Sequence, residues 1–160
     1  MSIWWSLHLR REAASVPLAR RLLLGTMETA GVDPDISFDL SVALSEACAN
    51  AVEHGGPAST ACSGGGPVPE EWAAYRVTAY LDGDRCRIEV TDSGPGFPPK
   101  TVEGQGSPRV EASEKEHGRG LWLITELADH VRFGNGPGRG AVVSFDKILK
   151  WRDGALLTAS

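Results

Sequence analysis

The stretch Leu44-Ser45-Glu46-Ala47-Cys48-Ala49-Asn50-Ala51-Val52-Glu53-His54-Gly55 decides how this chain is read. Most of it is small and apolar, as a helix buried in a domain should be. Yet Glu46 and Asn50 stand four residues apart on one stripe, with Glu53 on the same side. A carboxylate on so apolar a helix is costly to bury unless something pairs with it. A stripe that merely faces water would cost nothing, so this segment alone assigns no function. The helix starts near Asp33-Pro34, a capping residue followed by proline at the first helical position, and runs to about His54 before Gly55-Gly56. His54 is expected to cap its last carbonyls.

Upstream, residues 3–9 read as an edge strand. Residues 14–30 carry Val16, Ala19, Leu23, Met27 and Ala30 at helical spacing, with Gly31 as the residue just past the end. Arg10, Arg11, Arg20 and Arg21 give that helix a basic start and outer face, read as solvated. Downstream, residues 72–81 alternate, with Tyr75, Val77, Ala79 and Leu81 on one side. Residues 85–91 alternate too, with Cys86, Ile88 and Val90 inward, and Leu81-Asp82-Gly83-Asp84-Arg85 is a hairpin turn between them. A helix from Arg119 to about Asp129 follows a long loop, and residues 130–135 and 140–147 form a last strand pair. The order β-α-α-β-β-loop-α-β-β implies an α+β two-layer sandwich, with helices on one face of a mixed, mostly antiparallel sheet.

Composition bounds the rest. At 160 residues the chain has room for one domain, and 41% hydrophobic with 23% charged residues is a globular balance. A net charge of -5 provides no electrostatic footprint for duplex nucleic acid or an anionic membrane. No run of apolar residues is long enough for a transmembrane helix, and the N-terminus lacks a signal-peptide pattern. Cys48, Cys62 and Cys86 are odd in number and form no CxxC pair. Cys48 and Cys86 read as core residues and Cys62 as a loop thiol, which fits a reducing cytoplasm.

Two further segments carry chemistry. Asp92-Ser93-Gly94-Pro95-Gly96-Phe97 follows a strand end directly, so its carboxylate is placed to accept a hydrogen bond from a ligand amine. Glu116-His117-Gly118-Arg119-Gly120-Leu121 opens a helix with glycines, and helix N-termini favour phosphate. Each alone is also an ordinary turn or loop. Neither contains a Walker A or full Rossmann pattern.

The three segments in this order resemble the GHKL superfamily with its Bergerat ATP-binding fold. Glu46 and Asn50 match the N box, DSGPGF the G1 box, and HGRGL the G2 box. Within the superfamily, ALSEACANAVEHG and GRGLWLI are most similar to the anti-sigma regulatory factors, the RsbW- and SpoIIAB-like serine/threonine kinases. The resemblance implies one histidine-kinase-like ATPase domain over residues 1–160, with an ATP lid at about 97–117. It implies Glu46 as general base and Asn50 as the ligand of Mg2+. It implies Asp92 as the acceptor for the adenine amine, with Gly94 and Gly96 passing close to ATP. Gly118, Arg119, Gly120 and Leu121 would lie on the phosphate side.

As partners the resemblance implies a STAS-domain antagonist, a sigma factor and a second copy of the chain. A non-enzymatic ATP-responsive binding module and a scaffold with a vestigial pocket are the rival classes. Two departures from the family stand out. The segment Gly138-Arg139-Gly140-Ala141-Val142-Val143 lacks the threonine of a GTxV-like motif, and the loop 55–72 is long. His117 is assigned to the lid. Trp122 and Trp151 are assigned to core or interface packing. Trp4 and Trp5 are expected to point to opposite faces of the first strand, so that both faces need cover.

Overall fold

The computed structural model describes residues 2–54, 74–92, 115–135 and 140–151. Five strands and three helices are present there: β1 (Ser2–Arg10), α1 (Ser15–Ala30), α2 (Pro34–His54), β2 (Ala74–Asp82), β3 (Arg85–Asp92), α3 (Lys115–Leu127), β4 (His130–Asn135) and β5 (Ala141–Ile148). The strands form one sheet in the order β1-β2-β3-β5-β4. All four pairings are antiparallel, the antiparallel end of the expected mixed arrangement. β1 lies at an edge, as its sequence indicates.

Period-two alternation decides which face the helices cover. Val77, Ala79 and Leu81 of β2, with Cys86, Ile88 and Val90 of β3, are buried on the inner side. β1 contributes Leu9 to the core and packs Ile3, Trp5 and Leu7 against it. The two tryptophans do point oppositely: Trp5 faces the helices, whereas Trp4 is 62% exposed on the open face. There Trp4 packs on Tyr80, and the Arg87 guanidinium lies 5.0 Å from the Tyr80 ring centroid. The hairpin between β2 and β3 turns at Gly83, whose φ of 61° is left-handed and suits glycine.

The helices sit where their apolar stripes require. α1 buries Ala19, Leu23, Met27 and Ala30 at i, i+4, i+8 and i+11. It ends at Gly31, whose φ of 90° is the left-handed position of a helix cap and whose N–H reaches back to Met27 and Glu28 carbonyls. Asp33 then caps α2, its Oδ1 accepting the Asp35 N–H at 2.8 Å. α2 is the central helix, packed on α1, on α3 and on the sheet. The chain after β5 returns to this junction: Lys150 accepts the Asp33 N–H at 2.7 Å, and Trp151 bridges to Val32.

Three local expectations need correction. α3 begins at Lys115, four residues before the expected Arg119, and ends at Leu127. Glycine costs a helix only about 1 kcal/mol, so Gly118 and Gly120 do not stop it once Leu121 and Ile124 are buried. Trp122 is not core, being 49% exposed. Arg11 does not belong to a solvated face. It is half-buried and bonded to the end of α2.

Candidate functional site

The rotation of α2 about its own axis determines which side chains the site receives. Leu40, Leu44, Ala47, Cys48 and Ala51 are buried. The Cys48 thiol is bonded to the Tyr75 hydroxyl on β2, and burial pushes that thiol up to about 12. Burial also raises Tyr75, whose hydroxyl meets Ser15 Oγ at 2.6 Å. This neutral buried network ties α1, α2 and β2 together, because three polar groups satisfy one another instead of remaining orphaned. With Cys48 turned inward, Glu46 and Asn50 emerge half-buried at the edge of the helix stripe, and Glu53 is exposed. Glu46 and Asn50 are thus partly withdrawn from water, whereas Glu53 faces it.

Glu46 faces α3. A Cβ built on Gly120 would lie 3.1 Å from Glu46 Oε2, tighter than an ordinary contact. Glycine at position 120 is what lets the carboxylate come up against the helix backbone. Two of the sequence signals, Glu46 and Gly120, 74 residues apart, thus meet at one point. The first four residues of α3, Lys115 to Gly118, are those whose N–H groups lack an intrahelical acceptor. Gly118 and Gly120 lie within the first turns of α3 and not ahead of it. Leu121 is buried, so its side chain belongs to the core and only its backbone is available to a ligand.

Asp92 ends β3 and is 6% exposed. Its Oδ1 accepts the buried Ala141 N–H at 3.1 Å. An ionised carboxylate has about four lone-pair sites, so this bond leaves capacity for more. The β3–β5 register pairs Thr91 with Val142, which places Ala141 beside Asp92. Ala141 is the position where a GTxV-like motif would carry threonine, so the missing hydroxyl is missing at the aspartate itself. Gly94, Gly96, the span 97–114, Cys62 and the 55–72 loop lie outside the described residues, as do the side chains of His54, His117 and Arg119.

The donors fit a nucleotide-borne cation and not a self-contained metal site. Among the described residues no group of three His, Cys, Asp or Glu could hold a metal. Mg2+ commonly keeps waters and takes one or two protein oxygens together with substrate phosphates, which a single half-buried Asn50 can supply. No described helix is long and apolar enough to cross a membrane.

Comparison with known proteins gives a consistent result. Residues 9–147 match the family described as the histidine kinase-like ATPase domain. The chain is 32% identical over 140 residues to a serine-protein kinase RsbW of Bacillus licheniformis, covering 84% of this chain and 78% of that one. It is 28% identical over 144 residues to the same kinase of Staphylococcus aureus, covering 86% and 82%. Among solved structures, the RsbU and RsbW domains of Rv1364c from Mycobacterium tuberculosis superpose with a TM-score of 0.59 at 22% identity. That match covers 91% of this chain but only 32% of the mycobacterial one. The SiaB–SiaC complex of Pseudomonas aeruginosa superposes with a TM-score of 0.54 at 14% identity, covering 90% of this chain and 89% of its counterpart. At these identities the structural matches speak to fold alone.

Proposed function

Because the chain belongs to the histidine kinase-like ATPase domain family, within the RsbW-like branch of the GHKL superfamily, we propose that it is an ATP-dependent protein serine/threonine kinase of the anti-sigma type. One observation carries this reading. The Glu46 carboxylate is held on a half-buried helix stripe against Gly120, one turn from the amide of Asn50. A vestigial pocket has no need of a glycine at that contact.

Phosphoryl transfer asks the protein mainly for positioning and charge stabilisation. Mg2+ bound with ATP would neutralise part of the phosphate charge. Asn50 would offer its side-chain oxygen to that ion, and Asp92 would accept the adenine amine. Gly118 and Gly120 would let the phosphates approach the N–H groups opening α3. Glu46 would take the proton of a substrate serine or threonine hydroxyl. The hydroxyl oxygen then bonds the terminal phosphorus, and the bridging oxygen leaves with ADP. We assign the substrate hydroxyl to a small STAS-domain antagonist and a second binding role to a sigma factor, in the cytoplasm. The relatives' naming as serine-protein kinases supports a serine hydroxyl as the acceptor. Incubation with γ-labelled ATP, Mg2+ and a STAS-domain protein from the same genome tests it. Label on a serine or threonine of the partner is expected. ATP binding without any transfer to any such partner would leave a non-enzymatic ATP-responsive module instead.

A homodimer belongs to the same proposal. Trp4 stands 62% exposed on an edge strand with a tilted ring contact to Tyr80, so among the described residues a large aromatic surface is left for a partner to cover. Light scattering over a concentration series should show a mass rising from 17.0 kDa towards twice that value. Trp4→Ser should shift the rise to higher concentration. A wild-type mass near 17.0 kDa throughout, with and without nucleotide, rules the dimer out.

A further inference from the structure

The last carbonyls of a helix have no intrahelical donor and need a partner from elsewhere. In α2 that partner is Arg11, in the short segment joining β1 to α1. Its Nη2 donates to the Val52 carbonyl at 2.7 Å and its Nε to the Ala51 carbonyl at 3.1 Å. Two donors of one planar guanidinium thus grip two successive carbonyls, a geometry that lysine's single ammonium cannot reproduce. The positive charge also lies at the negative end of the helix dipole. Arg11 is half-buried, and the carbonyls it holds are 40 and 41 residues away in sequence.

Those carbonyls belong to the residues that follow Asn50 directly. His54 ends the helix, so Asn50 lies at the last turn, where an uncapped helix frays. Glu46 lies a full turn further in, and Asp92 lies on the sheet. The geometry points to Arg11 as a positioning residue for Asn50: by clamping the end of α2 it holds the Asn50 amide where a nucleotide-borne cation is bound. This rests on the proposed role of Asn50 and adds to it a residue that contacts neither nucleotide nor metal. It also makes the β1–α1 connection a structural support of the cation site.

The test is calorimetric titration of ATP at a series of Mg2+ concentrations, with a parallel titration in EDTA. Wild-type protein is measured first, and if it binds no ATP the proposed function itself fails, separately from the role of Arg11. With wild-type binding in hand, Arg11→Met should raise the Mg2+ concentration for half-maximal binding by about 10-fold, the low end of the roughly 10- to 100-fold seen when supports of metal ligands are removed. Affinity for ATP in EDTA should stay within about 2-fold, because adenine recognition at Asp92 is untouched. Arg11→Lys, with one donor head, should show a smaller shift of about 2- to 3-fold in the same direction. An unchanged Mg2+ midpoint in Arg11→Met, whatever its melting temperature, overturns the inference. So does an equal loss of affinity with and without Mg2+, which marks general damage. If Arg11→Met does not fold, Arg11→Lys decides alone, and an unchanged midpoint there overturns it.

Discussion

Glu46→Gln should bind Mg-ATP as wild type does and lose phosphate transfer by roughly 10²–10⁴-fold, the usual contribution of a positioned general base. The substitution suits the site because glutamine keeps the shape of the side chain that lies beside Gly120, where a Cβ would crowd Oε2 at 3.1 Å. What it removes is the ability to accept a proton. Glu46 is half-buried, so water reaches the site only partly and does not replace the missing base freely. Single-turnover transfer to the partner, beside ATP affinity by calorimetry, separates the two effects. Loss of both would mean that the contact with α3 is structural. Wild-type transfer with a real substrate would refute the role of Glu46.

Asp92 should show the second-largest effect, and the choice of variant matters. Asp92→Ala strips the acceptor from the buried Ala141 N–H as well as from adenine, so it should cost about 1–3 kcal/mol in stability and confound binding. Asp92→Asn is the cleaner test. Its side-chain oxygen can still accept from Ala141, but its amide nitrogen then cannot accept from the adenine amine. ATP affinity should fall by about 1–3 kcal/mol, roughly 5- to 150-fold, and the preference for ATP over GTP should vanish. The melting temperature should move little. Unchanged affinity and unchanged nucleotide preference would remove Asp92 from the adenine site. The alanine at position 141 sharpens the expectation. With no threonine hydroxyl beside the aspartate, recognition there has fewer donors and acceptors to share the load.

Much of the fold was legible because its signals are local. The alternation of Tyr75, Val77, Ala79 and Leu81 identifies β2 and its inner face, and the structure buries all four. The spacing of Ala19, Leu23, Met27 and Ala30, closed by Gly31, marks α1 and its end. Asp33-Pro34 marks the start of α2. Side-chain periodicity and backbone capping act within a few residues, so a linear reading detects them. α3 starts at Lys115, ahead of Arg119, because the burial of Leu121 and Ile124 outweighs the small helical penalty of Gly118 and Gly120.

The site divides in the same way. The sequence by itself supplied the candidate residues Glu46, Asn50 and Asp92, because the three short segments whose order carries the family resemblance are each local patterns. Only the tertiary structure decided that Glu46 meets Gly120, that Asp92 receives the amide of Ala141, and that Arg11 closes α2. It also decided that β5 lies between β3 and β4, which is what brings Ala141 beside Asp92. The contacts made by Glu46, Asp92 and Arg11 join residues at least 40 apart in the chain. No pattern in a one-dimensional string encodes them. They arise when three helices bury their apolar stripes on one sheet face, and the rotation each helix adopts to do so aims the polar residues at its edge.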